Sequence, residues 1–139
     1  SYSSELWSKV IQVNLTAQFQ MTQSLMTVLE KSQDASIIFT TSGVGRVGKA
    51  FWGAYAISKA AVKSLSEILQ EELEPLSKIK VFNFDPGATR TSMRAYAYPA
   101  EDPSSLKSTS SLLNYYLWFL STESENIDIR YIKYNIPSS

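Results

Sequence analysis

The sequence has no cysteine and no histidine. The first absence removes disulfides and thiolate nucleophiles, and the second removes the imidazole needed for a Ser-His arrangement or a histidine metal site. No metal is expected. Thirteen Lys and Arg are matched by thirteen Asp and Glu, so no net field draws the chain to nucleic acid, a membrane surface or a strongly charged partner. No apolar run approaches bilayer length, and the first residues lack the basic-then-apolar order of a secretion signal; a cytoplasmic setting is the expectation. What is present is a 139-residue chain, 44% hydrophobic, which is ample for one core. Any proton chemistry near neutral pH must come from tuned Tyr, Lys, Asp or Glu.

Along the chain, Ser3 and Ser4 are candidate N-caps with Glu5 in the first turn. Leu6, Val10, Val13, Ala17, Met21, Leu25 and Val28 then recur at threes and fours, which predicts one long helix ending near Lys31 with those residues on its core face. Ser36-Ile37-Ile38-Phe39-Thr40-Thr41 has consecutive apolar residues, as a strand buried on both faces requires. Ser42 to Gly48 is a glycine-rich loop leaving that strand. A second helix is expected over roughly Ala54 to Glu74, with Ile57, Ala61, Leu65, Ile68 and Leu69 inward and Pro75 ending it. Ile79 to Phe84 forms another strand, stopped by Asp85-Pro86-Gly87, and strand, helix, strand makes a parallel crossover. Ala88 to Ser105 is irregular and a candidate flap. A third helix over Ser110 to Ser121, with Leu112, Leu113, Tyr116, Leu117 and Leu120 apolar, and a last strand over Ile129 to Ile136 complete the pattern.

Tyr55 and Lys59 stand four residues apart at the start of the second helix, where such side chains share a face. A nearby cation favours phenolate and is expected to lower the Tyr pKa from about 10. Ser42, at the end of the preceding strand, can return through the loop to the same mouth of the sheet and donate to a developing alkoxide. The bare Tyr-x-x-x-Lys spacing is weak, since any amphipathic helix carries such pairs on its surface. The context changes that weighting: a buried strand ending in Ser42, a Gly-rich loop, Gly53-Ala54-Tyr55-Ala56-Ile57-Ser58-Lys59-Ala60-Ala61-Val62, and a strand ending in Pro86-Gly87-Ala88-Thr89-Arg90-Thr91.

That arrangement resembles the short-chain dehydrogenase/reductase family over about Trp7 to Met93, within a little-characterised bacterial branch. The resemblance implies an α/β, partial Rossmann-like fold: a doubly wound parallel sheet of which residues 1–139 supply the carboxyl-terminal catalytic portion, with about three strands and three main helices. It implies an NAD(P)-dependent oxidoreductase, NAD or NADP being open, that interconverts a carbonyl and an alcohol. Tyr55 would be the general acid/base, Lys59 would tune it and bond the nicotinamide ribose, Ser42 would hold the substrate oxygen, and Asn14 would anchor a water relaying protons to Lys59. Pro86, Gly87, Thr89 and Thr91 would meet the nicotinamide carboxamide. Family members bind the pyrophosphate at an earlier strand and Gly-rich turn, which these residues lack. Gly43-x-Gly45-x-x-Gly48 fits the dinucleotide fingerprint only superficially, because it follows the strand that carries Ser42. The expected partners are a small carbonyl or alcohol substrate and a second copy, forming a homo-oligomer through the first and second helices. The alternative is a truncated, non-catalytic homologue acting as an interaction module. For Trp52, Met93, Tyr96 and Tyr98 plain packing is the commoner role, and for Arg46 and Arg90 a solvated or ion-paired surface one.

Overall fold

In the computed structural model of the chain, residues 3–45, 50–125, 127 and 131–135 are described. Ser3 caps the first helix by accepting from Leu6 N. The helix is not uniform: α1 (Ser4–Ile11) passes through a π-helical turn (Gln12–Thr16) into α2 (Ala17–Lys31). Strand β1 (Ser36–Thr40), helix α3 (Gly53–Leu73) and strand β2 (Lys80–Asp85) follow as the crossover unit. Short helix α4 (Ser92–Ala97), helix α5 (Leu113–Phe119) and strand β3 (Tyr131–Lys133) complete the order. The three strands are parallel in the order β1-β2-β3, with Ile38 beside Phe82 and Phe84 beside Ile132. Of the last strand expected over Ile129 to Ile136, Tyr131–Lys133 is strand and Tyr134 and Asn135 are not; Ile129, Arg130 and Ile136 lie outside the described residues. No helix among the described residues is long and apolar enough to cross a membrane.

Alternation along the strands builds two cores. Phe39 and Val81 face α3, where they meet Val62, with Leu15, Leu65, Leu69 and Leu73 packed around them. Phe82 and Phe84 point the other way onto Phe119 of α5, with ring centroids 4.8 and 5.2 Å apart. A sheet covered on both faces explains the unbroken apolar run in each strand. Carbonyls at and just beyond the end of α5 are satisfied by strand side chains. Ser36 Oγ donates to Phe119 O at 2.8 Å, and Lys80 Nζ donates to Ser121 O at 2.8 Å while pairing with Asp34. A cation at a helix carboxyl end is also favoured by the helix dipole.

The helix faces differ from those the spacing predicts. Leu6, Val13, Met21, Leu25 and Val28 are exposed, and so are Ile57 and Ile68 of α3 and Leu113, Leu117 and Leu120 near α5. The inward face of α3 is Ala54, Ser58, Val62 and Ser66, with Leu65, Leu69 and Leu73 beside it. Small residues let the helix lie close to the strands, and two buried hydroxyls find amide partners: Asn14 Nδ2 donates to Ser58 Oγ at 3.2 Å, and Asn83 Nδ2 to Ser66 Oγ at 2.9 Å. Periodicity locates an apolar stripe but does not say which packing partner it meets.

The Asn83–Ser66 pair gives a direct test, because both residues are buried and Asn83 Oδ1 already lacks a partner. Ser66→Ala would leave the amide donor unsatisfied as well. The expected loss is about 1–3 kcal/mol, read as a lower urea midpoint at unchanged slope.

Candidate active site

Three side chains converge where β1 and β2 end. Ser42 follows β1, and Tyr55 and Lys59 lie in the first turns of α3. The Ser42 hydroxyl lies close enough to the Tyr55 phenol to lower its pKa, and Ser42 Oγ accepts weakly from Val44 N at 3.5 Å. Lys59 Nζ donates to Thr40 O at 3.0 Å and stands 5.7 Å from the centroid of the Tyr55 ring. An ammonium has further N–H donors beyond the one this carbonyl takes.

The loop between Ser42 and α3 reaches this position by close packing. A Cβ built on Gly45 would lie 2.9 Å from the backbone carbon of Lys59. Glycine there serves contact between loop and helix, which accounts for it without a phosphate. The loop's described portions are the 3-10 turn Gly43–Gly45 and residues 50–52; residues 46–49, Arg46 and Gly48 among them, lie outside the described residues.

Electrostatics corrects one expectation. Burial pushes the Tyr55 phenol above its usual value; the Ser42 hydrogen bond pulls it down, and Asp85 and Tyr98 push it further up. Burial lowers the Lys59 ammonium. Desolvation disfavours charge on either group, and the expected lowering of Tyr55 by Lys59 is not among the effects acting on the phenol. Tyr55 is thus held as a neutral phenol, the form that donates a proton.

A scan against protein-family models matches residues 1–102 to the short chain dehydrogenase family. The chain belongs to the short chain dehydrogenases. It is 43% identical to the uncharacterized oxidoreductase YciK of Escherichia coli (strain K12) over 120 residues, which cover 86% of this chain and 47% of that protein. A crystal structure of a short chain dehydrogenase from Salmonella enterica serovar Typhi superposes with TM-score 0.91 at 40% identity, covering 96% of this chain and 54% of that one. A short chain dehydrogenase from Escherichia coli CFT073, complexed with NADPH, superposes with TM-score 0.90 at 39% identity over 96% and 55%. The chain spans about half the length of these relatives. Its three-stranded parallel sheet and flanking helices are the corresponding part of their Rossmann-like fold.

Against this short chain dehydrogenase frame, the other predicted residues divide. Asn14 sits in the π turn, where a widened helix marks many functional sites. Its amide donates to Ser58, and Ser58 Oγ in turn donates to Tyr55 O at 2.7 Å. The link from Asn14 to α3 therefore runs through Ser58, with no direct hydrogen bond to Lys59 among the described residues. Pro86 and Gly87 turn the chain after β2, Gly87 at φ 66 in the left-handed region that favours glycine. Thr89 Oγ1 donates to Gly87 O, and Thr91 caps α4 by accepting from Arg94 N at 3.1 Å, which leaves its own hydroxyl hydrogen to donate.

Sequence reasoning missed two residues that shape the site. Ser58 was legible only as the small residue before Lys59. Asp85, read as part of a turn, is buried with Oδ1 accepting from Gly87 N at 2.9 Å and Oδ2 from Tyr131 Oη at 2.8 Å. Its charge acts on Tyr55 from the neighbouring strand end. Asp85→Asn keeps an oxygen acceptor for Gly87 and removes that charge, so it is expected to lower the Tyr55 pKa, whereas Ser42→Ala raises it. Tyrosine ionisation followed at 295 nm, differenced against Tyr55→Phe, reads both; shifts of the opposite sign would contradict the charge balance described.

Proposed function

We propose that this chain carries the proton-transfer portion of an NAD(P)-dependent oxidoreductase that interconverts a carbonyl compound and its alcohol. The observation that carries the reading is the convergence of Ser42, the Tyr55 phenol and the Lys59 ammonium where β1 ends, with Lys59 Nζ 5.7 Å from the Tyr55 ring centroid. In the reductive direction Tyr55 Oη gives its proton to the oxygen of the carbonyl being reduced, while Ser42 Oγ holds that oxygen in place. The phenolate left behind lies near Lys59, whose cation limits its cost until a proton returns from solvent. A bound nicotinamide supplies the hydride. Lys59, with donors beyond the Thr40 carbonyl, fits a ribose hydroxyl, and the Gly87 turn with the Thr89 backbone and the Thr91 hydroxyl fits a carboxamide. These residues suit the nicotinamide end of a dinucleotide. The pyrophosphate end would belong to the half of the relatives that this chain does not span. Neighbours complexed with NADP and NADPH support the phosphorylated cofactor.

The exposed apolar stripe supports a second element of the reading. Leu6, Val13, Met21, Leu25 and Val28 continue along one side of α1 and α2, with Ile57 and Ile68 exposed on α3. Contiguous apolar surface of this kind fits an interface. A second copy placed there would give a homo-oligomer.

With an aldehyde or ketone that the intact protein reduces, Tyr55→Phe is expected to cut kcat by about 10²–10⁴-fold, the usual contribution of a positioned acid. Retained turnover would overturn the mechanism. Leu25→Glu is expected to shift the sedimenting species towards monomer at equal concentration, as a charge at an apolar interface would.

A further inference from the structure

The segment between β2 and α5 is fastened to itself. Arg90 Nε and Nη2 donate to Pro103 O and Leu106 O at 2.9 and 3.0 Å, and Arg94 grips Glu101 with two bonds of 2.7 and 2.8 Å. At the base, Arg90 N donates to Lys107 O and Lys107 Nζ to Ala88 O. Both guanidinium groups of the flap are therefore engaged within it. Neither is offered to an anionic substrate.

What the flap does present is aromatic. Arg94 lies flat over Tyr98, 3.8 Å from the ring centroid, and the Tyr98 ring stands 6.4 Å from that of Trp52. Trp52 in turn stands 5.6 Å from the Tyr55 ring. These separations and tilts of 37° and 43° are those of interacting aromatic pairs. Three rings thus form a row that ends on the proton donor. Phe51, the residue before Trp52, is fully exposed and held at φ 70. A bulky side chain in the left-handed region is strained, and such strain gathers at functional sites.

We propose that the Tyr98–Trp52 row is the substrate shelf and that the site takes a neutral aryl carbonyl compound or the matching aryl carbinol. The aryl ring would stack on Trp52, with its carbonyl oxygen at Tyr55 and Ser42. The assignment rests on the reading of Tyr55 as proton donor, and it adds the substrate class. A side chain that stacks selects planar π surface over saturated carbon of the same size, because the ring quadrupole adds to plain area burial.

Saturation-transfer NMR on the full chain, with acetophenone and cyclohexyl methyl ketone as matched probes, tests this without requiring turnover. Acetophenone is expected to bind about three- to tenfold more tightly, the range an aromatic pair supplies. Trp52→Leu removes the preference, Trp52→Phe keeps most of it, and Tyr98→Leu weakens it; unchanged near-UV circular dichroism of the Phe and Tyr98 variants separates shelf loss from unfolding. Equal binding of the two ketones, no binding of either, or a preference that survives Trp52→Leu would overturn the proposal. Tyr55→Phe is expected to retain the aryl preference while cutting carbonyl reduction in the intact protein by about 10²–10⁴-fold. If acetophenone binds through Trp52 and no carbonyl is ever reduced, the shelf stands and the oxidoreductase reading fails; turnover with no aryl preference means the reverse.

Discussion

How closely α3 can lie against the strands and the turn beside them decides the rest of this structure. Its inner face is Ala54, Ser58, Val62 and Ser66 rather than the larger aliphatic residues of the same helix, and Gly45 meets the helix backbone where a Cβ would collide. Close seating brings the first turns of α3 to the ends of β1 and β2. Tyr55 then stands beside Ser42, and Lys59 reaches the Thr40 carbonyl. A bulkier residue at Gly45 or Ser58 would push the helix outward and separate the phenol from the strand that completes its surroundings.

The same closeness sets the charge balance. Burial alone would favour the neutral forms of both Tyr55 and Lys59, and the nearby Asp85 carboxylate strengthens that bias at the phenol. Asp85 is itself buried, yet it keeps neutral donors from Gly87 and Tyr131. A buried carboxylate is tolerated when its lone pairs are filled in this way. The residue thereby joins two tasks, shaping the left-handed turn at Gly87 and shading the Tyr55 phenol towards its neutral form.

Apolar surface is distributed unevenly. The sheet is covered on both faces, by α3 with the π turn and by the aromatic packing of α5, whereas the outer sides of α1, α2 and α3 carry exposed Leu, Val, Met and Ile. β1 is hydrogen-bonded to β2 on one side and has no described strand on the other. An apolar strand with a free edge invites pairing. Both features agree with a chain spanning about half the length of its relatives.

The sequence by itself determined the parallel crossover, the two buried strands, and the grouping of Ser42, Tyr55 and Lys59 at one mouth. Such features follow from local rules: consecutive apolar residues for a strand covered twice, four-residue spacing for a shared helix face, and Pro-Gly for a turn. Tertiary structure alone decided which helix faces point inward, where Asn14 sends its amide, and in which direction the phenol's pKa moves. Each of these depends on what lies across the gap from a side chain. An apolar stripe reads identically whether it meets a core or a surface. An Asn is polar in either case, but only the π turn and the position of Ser58 direct its donor to α3. Desolvation depends on depth, which spacing does not encode, and so Tyr55 is neutral despite the lysine one turn away.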